Sequence, residues 1–118
     1  MTFNLVIFLA ALAHVESNTD DHAVGANGER GRYQITETVW HQWETMPHYK
    51  AQEEFWSFKV ARRHIAWLHC NGVKATAYDT AVAWNCGLSA YKGNVPASSR
   101  KFARRVAVEY RRRITNNR

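Results

Sequence analysis

Cysteine is scarce in this chain. Only Cys70 and Cys86 occur among 118 residues, too few for the disulfide framework that staples small secreted domains. Each reads as a small buried hydrophobe, because free cysteine is among the most buried residue types. The six histidines include no pair at i, i+4, and no Cys-x-x-Cys is present, so no metal site and no metal cofactor are expected. No Lys or Arg precedes the apolar run Leu5 to Leu12, which removes the positive segment of a secretory signal even though Ala11-Leu12-Ala13 imitates a cleavage site. Met1 to Ala13 therefore reads as the start of the first structural helix, with Leu5, Phe8, Leu12 and Val15 at helical spacing. The run is too short to span a bilayer. No internal repeat and no low-complexity linker interrupts the chain, and its length fits one domain over residues 1–118.

What the chain has in quantity is aromatic surface and positive charge. Five Trp, five Tyr and five Phe suit a core, and they also suit a groove that stacks against sugar rings. A formal net charge of +6 points to anionic partners, which charge alone leaves open among nucleic acid, a membrane surface and the acidic polymer of a bacterial wall. The pattern is helical. Thr36 caps a short helix to about Thr45 with Val39, Trp40 and Trp43 inward. A longer helix is expected from about Ala51 to Cys70, with Phe58, Ala61, Ile65 and Leu68 as its core stripe. A further helix spans about Tyr78 to Cys86 and stops at Gly87, and Leu88 to Pro96 reads as a connecting loop. The last helix runs from near Ser98 to Ile114, with Phe102, Val106, Tyr110 and Ile114 on one face and a run of arginines on the others; a frayed tail covers Asn116 to Arg118. A basic helix invites a nucleic-acid reading, but no recognisable reading module accompanies it, and a solvated face is the simpler account.

The residue with the clearest chemical promise is Glu16. It ends the first apolar stretch, and Ser17, Asn18, Asp20 and Asp21 then favour a turn over a helix interior. A carboxyl at a helix C-terminus beside a core meets the negative end of the helix dipole and a low dielectric, and both favour its protonated form. A carboxylic acid protonated near neutral pH is what general acid catalysis requires. Downstream, Gly25, Gly28 and Gly31 mark a loop or poor hairpin between Asn18 and Tyr33.

Glu16-Ser17 at the end of an apolar helix, Ala23-Val24-Gly25, then Gly28-Glu29-Arg30-Gly31-Arg32-Tyr33-Gln34-Ile35, and later Ala83-Trp84-Asn85-Cys86-Gly87 resemble, in order, the landmarks of the soluble lytic transglycosylase branch of the lysozyme-like superfamily. Val95 to Val106 resembles that branch's closing helix. The second landmark in the family usually reads Gly-x-x-Gly-Leu-Met-Gln-Ile and the third Ala-Tyr-Asn-Ala-Gly, so this chain keeps the Gly, Gln, Ile and Asn and varies the residues between. The resemblance implies a mainly α, small lysozyme-like domain with at most a short irregular hairpin. It implies peptidoglycan glycan strands as the partner and the β-1,4 bond between N-acetylmuramic acid and N-acetylglucosamine as the target, cleaved at the cell wall, whether periplasmic, extracellular or phage-delivered.

In that reading Glu16 is the catalytic acid and then base, and Ser17, Tyr33, Gln34, Trp84, Asn85, Tyr91 and Phe102 are the substrate-binding candidates. No cofactor, nucleic acid or membrane span is implied, and a monomer is expected. Gln34 and Asn85 also have plainer roles open to them, tying a loop to a helix end and capping a helix. Phe102 stands where the family usually has a Tyr near the reacting centre. Goose-type lysozymes, which share the fold, carry aspartates where this chain has Gly25 and Thr36, so their second acid is missing here. Asp20, Asp21 and Glu29 are the nearby substitutes. Turn chemistry accounts for the aspartates and Glu29 reads as an exposed residue, so a lytic transglycosylase is favoured over a hydrolase, with a decayed wall-binding module as the remaining alternative.

Overall fold

The computed structural model describes residues 2–116. The expected mainly helical domain is what it shows. The helices are α1 (Leu5–Ser17), α2 (Glu37–Trp43), a 3-10 helix (His48–Gln52), α3 (Glu54–Cys70), α4 (Ala77–Cys86), α5 (Leu88–Lys92) and α6 (Ala97–Asn116). Among the described residues there is no strand, only isolated antiparallel bridges pairing Arg30 with Val24 and with Ile35. Met1, placed in the first expected helix, and Asn117 and Arg118, placed in the expected frayed tail, lie outside the described residues. No described helix is long and apolar enough to cross a membrane.

The first helix is the centre of the core. The Asn4 side chain caps it by accepting from the Ile7 N–H at 3.0 Å, and Phe8, Leu9, Ala11, Leu12 and Ala13 are all buried. A helix apolar on most sides must be enclosed by others. Here α6 lies along it and also along α4. Small residues permit the second approach: Ser99 and Ala103 on α6 are buried, as are Ala77 and Ala81 on α4. The inward face of α6 therefore centres on Ser99, Ala103 and Val106, while Phe102 and Tyr110 sit at its half-buried flanks. The expected stripe of large residues is displaced because close helix packing selects small ones at the line of contact.

Other boundaries also moved. Pro47 is followed by the 3-10 helix rather than by the start of α3, and Glu53, in extended conformation at φ −110° and ψ 125°, separates the two. The segment taken for a loop after Gly87 contains α5, whose single short turn is too brief to show a period. Leu88 and Tyr91 of α5 pack against a small second cluster of Leu68, Val73 and Ala83. The cysteines are a correction: Cys70 is exposed and Cys86 only half-buried, both as free thiols. Cys70 follows Leu68 by two positions, which on a helix turns it to the opposite side from the core stripe.

The loop from Asn18 to Ile35 is fixed at both ends. Asn18 leaves α1 in the left-handed region at φ 55°, Thr19 repeats it at φ 59°, and the Thr19 N–H reaches back to the Ala13 carbonyl at 3.0 Å, a Schellman-type closure. Gly31 is where the loop meets the 3-10 helix. It lies at φ +82°, and a β-carbon on it would collide with the Ala51 carbonyl. Gly28 has a similar φ of +83° but open space around it.

Gly31→Ala is accordingly expected to destabilise the fold by more than about 3 kcal/mol, combining left-handed strain with a backbone collision, whereas Gly28→Ala should cost only the strain, about 1–2 kcal/mol. Urea unfolding of both variants checks the ranking; equal losses would remove the packing role assigned to Gly31.

Candidate active site

Glu16 sits in the last turn of α1, where the buried helix reaches the loop. Trp84 sits in the last turn of α4, and its indole Nε1–H donates to Glu16 Oε2 at 3.1 Å. Burial of the carboxyl pushes the pKa of Glu16 from 4.5 to about 7; the Trp84 hydrogen bond pulls it down by a smaller amount and the negative charge of Glu29 adds to the rise. Solvent exclusion by packed helices is thus the main cause, as the sequence position implied, with a nearby second carboxylate as contributor.

Trp84 forms one wall of a cleft of about 230 Å³ that Gln34, Ile35, Thr36, Val39, His64, Asn85, Cys86 and Gly87 also line. His64 and the rings behind it brace Trp84. His64 packs edge-on to Trp84, with centroids 5.7 Å apart, and stacks on Trp67 at 5.4 Å. Trp43 donates its indole N–H to His64 Nδ1 at 3.0 Å, which leaves the imidazole proton on Nε2. Burial lowers the His64 pKa to about 4, so this ring is neutral at the near-neutral pH where Glu16 titrates. Trp84 and His64 are the aromatic part of the lining, and Glu16, which does not itself line the cleft, joins it through the Trp84 indole; ring faces next to such a carboxyl suit a polar ligand with apolar faces, as sugars have.

The structure brings Glu16, Trp84, Asn85 and Gln34 to this region and holds the other candidates elsewhere. Asn85 is exposed at the cleft, and its Oδ1 accepts from the buried Ser99 hydroxyl at 2.6 Å, which orients the amide. The Gln34 amide nitrogen donates to the carbonyls of Gly31 at 3.0 Å and Ala23 at 3.3 Å, and its backbone is left-handed at φ 52°; it ties the loop together while lining the cleft. The Ser17 hydroxyl donates to the Arg32 carbonyl at 2.9 Å and accepts from the Asp20 N–H at 3.0 Å, a loop-closing role. Tyr33 is buried at 4% exposure and faces a separate depression with Leu9, Phe55 and Phe58. Tyr91 is on α5, and its hydroxyl donates to Asp79 of α4 at 2.9 Å. Phe102 packs half-buried against the main core.

His64 was not foreseen, and Glu29 was named as a substitute acid but read as exposed. His64 occupies a core-stripe position of α3, one residue before Ile65, and a histidine on a buried face was the available signal. Glu29 is half-buried rather than exposed, and its Oε1 accepts the Asn27 N–H at 2.8 Å. Its contribution to the Glu16 pKa follows from the loop folding back over α1, which no spacing rule foretells.

No protein-family model matches the chain, and no curated protein matches it. Among the described residues no group of three or more His, Cys, Asp or Glu side chains is arranged to hold a metal ion.

The environment of Glu16 makes opposite predictions for its two neighbours. Glu29→Gln removes a negative charge and should lower the Glu16 pKa; Trp84→Phe removes the hydrogen bond to the carboxylate and should raise it. Carboxyl-carbon NMR titration reads both, and shifts of the same sign would exclude this account.

Proposed function

We propose that this chain cleaves peptidoglycan at the β-1,4 bond between N-acetylmuramic acid and N-acetylglucosamine, as a glycosidase of lytic transglycosylase or lysozyme type in which Glu16 is the general acid. The observation that carries the reading is a carboxyl with a pKa of about 7 held by the indole of Trp84, a residue that lines the cleft. The choice of substrate rests on the resemblance of the motifs around Glu16, Gln34 and Asn85.

The chemistry follows from the protonation state. At neutral pH and below, a large share of Glu16 carries its proton, which it gives to the glycosidic oxygen as the C1–O bond breaks. The aglycone leaves as an alcohol and Glu16 becomes a carboxylate, able to take a proton from the incoming nucleophile. In the transglycosylase route favoured by the motif pattern, the substrate's own acetamido group stabilises C1 and its C6 hydroxyl closes the anhydro ring. In the hydrolase route water attacks. Asn85, oriented by Ser99, offers its amide to the sugar, and Trp84 offers a ring face while steadying Glu16.

Glu16→Gln should lower the rate of turbidity loss in cell-wall suspensions by a thousandfold or more, since it removes the proton donor to the leaving oxygen and general acid-base catalysis is typically worth about 10²–10⁴. Wild-type lysis by the folded variant would sink the assignment. Stability should move the other way. With a folded pKa raised from 4.5 to about 7, protonated Glu16 favours the folded state, and that advantage is present below pH 4.5 and lost as pH rises to about 7. The loss is about 3 kcal/mol at about 1.36 kcal/mol per unit. Glu16→Gln escapes it, so the variant should gain stability relative to wild type at pH 8 and not at pH 4, as denaturant titration at the two pH values would report.

A further inference from the structure

The loop that carries Gly25 also carries Glu29, and the two side-chain oxygens Glu29 Oε1 and Gln34 Oε1 meet over the bare α-carbon of Gly25. A β-carbon on Gly25 would lie 2.6 Å from the first and 2.5 Å from the second. A side chain on residue 25 would have to push both of these side-chain ends aside. The Gln34 amide nitrogen is committed to the Ala23 and Gly31 carbonyls, which fixes the oxygen, rather than the nitrogen, toward Glu29. Two acceptors are therefore turned on one spot, and neither can satisfy the other. A water molecule, which has two hydrogens to give, is the smallest group that can donate to both. The Gly25 N–H is not free to serve, because it donates to the Glu29 backbone carbonyl at 2.7 Å, and the Asn27 N–H reaches Oε1 from the turn side. The Glu29 charge also adds to the rise in the Glu16 pKa, which links this acceptor pair electrostatically to the proton donor.

We propose that Glu29, assisted by Gln34, is the catalytic carboxylate that holds and deprotonates the attacking water, so that the chain is an inverting hydrolase. The inference rests on the assignment of Glu16 as general acid. In the single displacement Glu16 transfers its proton to the glycosidic oxygen and the C1–O bond breaks. The water oxygen, held on the opposite face of the sugar, forms the new bond to C1 and its departing proton goes to Glu29. The sugar ends as a reducing hemiacetal of inverted configuration, the aglycone ends as an alcohol, and proton exchange with solvent resets both carboxyls. The acid and base are thereby two groups, which the transglycosylase route does not require.

Digestion of purified peptidoglycan in water labelled with heavy oxygen tests this. The expected result is one labelled oxygen in each new reducing end, with the α anomer appearing first by NMR. Glu29→Gln keeps an acceptor for the Asn27 N–H, so it should fold with a melting temperature near that of wild type while losing on the order of a hundredfold or more in rate. In Glu29→Ala, added azide should restore turnover and yield an α-glycosyl azide, a readout that a merely structural role for Glu29 would not produce. Unlabelled anhydro ends from the wild type would overturn the role of Glu29 and leave the proposed cleavage by Glu16 standing. A first-formed β anomer, or labelled ends with an unimpaired Glu29→Gln, would overturn it as well. Absence of cleavage by the wild type would remove both proposals together.

Discussion

The contact on which the candidate site depends is the hydrogen bond from the Trp84 indole to the Glu16 carboxyl. It joins the last turn of α1 to the last turn of α4, elements that are distant in sequence and packed against a common partner, α6. Each end is held independently. Glu16 extends from a helix whose preceding turns are enclosed by core, and Trp84 is braced from behind by His64, itself fixed between Trp67 and the indole N–H of Trp43. The carboxyl is thereby both buried and oriented, and these two effects oppose one another: burial favours the acid, the indole donor favours the anion, and burial prevails. A site of this kind costs stability in its ionised state. The small-residue packing of α6 on α4 and α1 supplies the rigid frame that bears the cost.

That frame was largely readable from the chain. The apolar period of α1, the Thr36 cap and the Gly87 stop follow local rules in which a residue and its neighbours decide the conformation, and Thr36 does accept the Val39 N–H at 3.2 Å. The position of Glu16 at a helix end beside core was equally local. What escaped is tertiary. The inward face of α6 shifted because its partner α4 comes close enough to exclude large side chains. Leu88 to Lys92 formed a helix because Tyr91 and Leu88 found partners in Leu68, Val73 and Ala83, although five residues are too few to show periodicity.

The same division separates the site residues. Trp84, Asn85 and Gln34 reach one cleft, whereas Ser17, Tyr33, Tyr91 and Phe102 are engaged in closing the loop, filling the core or anchoring α5. A motif fixes where the backbone goes, but the direction of a side chain depends on what surrounds it. Tyr33 and Gln34 are adjacent, and at that point of the chain one turns into the core while the other turns toward the cleft. Glu29 stood in the sequence as one of three substitute carboxylates, and the folded loop is what turns its side chain toward Gly25; the missing side chain of Gly25 is legible as an absence yet says nothing about which neighbour lies beside it.

The aromatic wall has a thermodynamic consequence of its own. His64 is neutral in the folded protein, with a pKa lowered from 6.5 to about 4 by burial, so its contribution to stability is present above pH 6.5 and lost as pH falls toward 4. Glu16 behaves in the opposite sense over nearly the same interval. Between about pH 4.5 and 6.5, unfolding lets Glu16 release a proton to solvent while His64 takes one up, so this pair exchanges almost no net protons. A cleft built around a perturbed acid would ordinarily make folding steeply pH-dependent. Here the neighbouring imidazole compensates, and mild acidification, which charges neither group in the folded state, can fill the proton-donor form of Glu16 without loosening the wall that holds it.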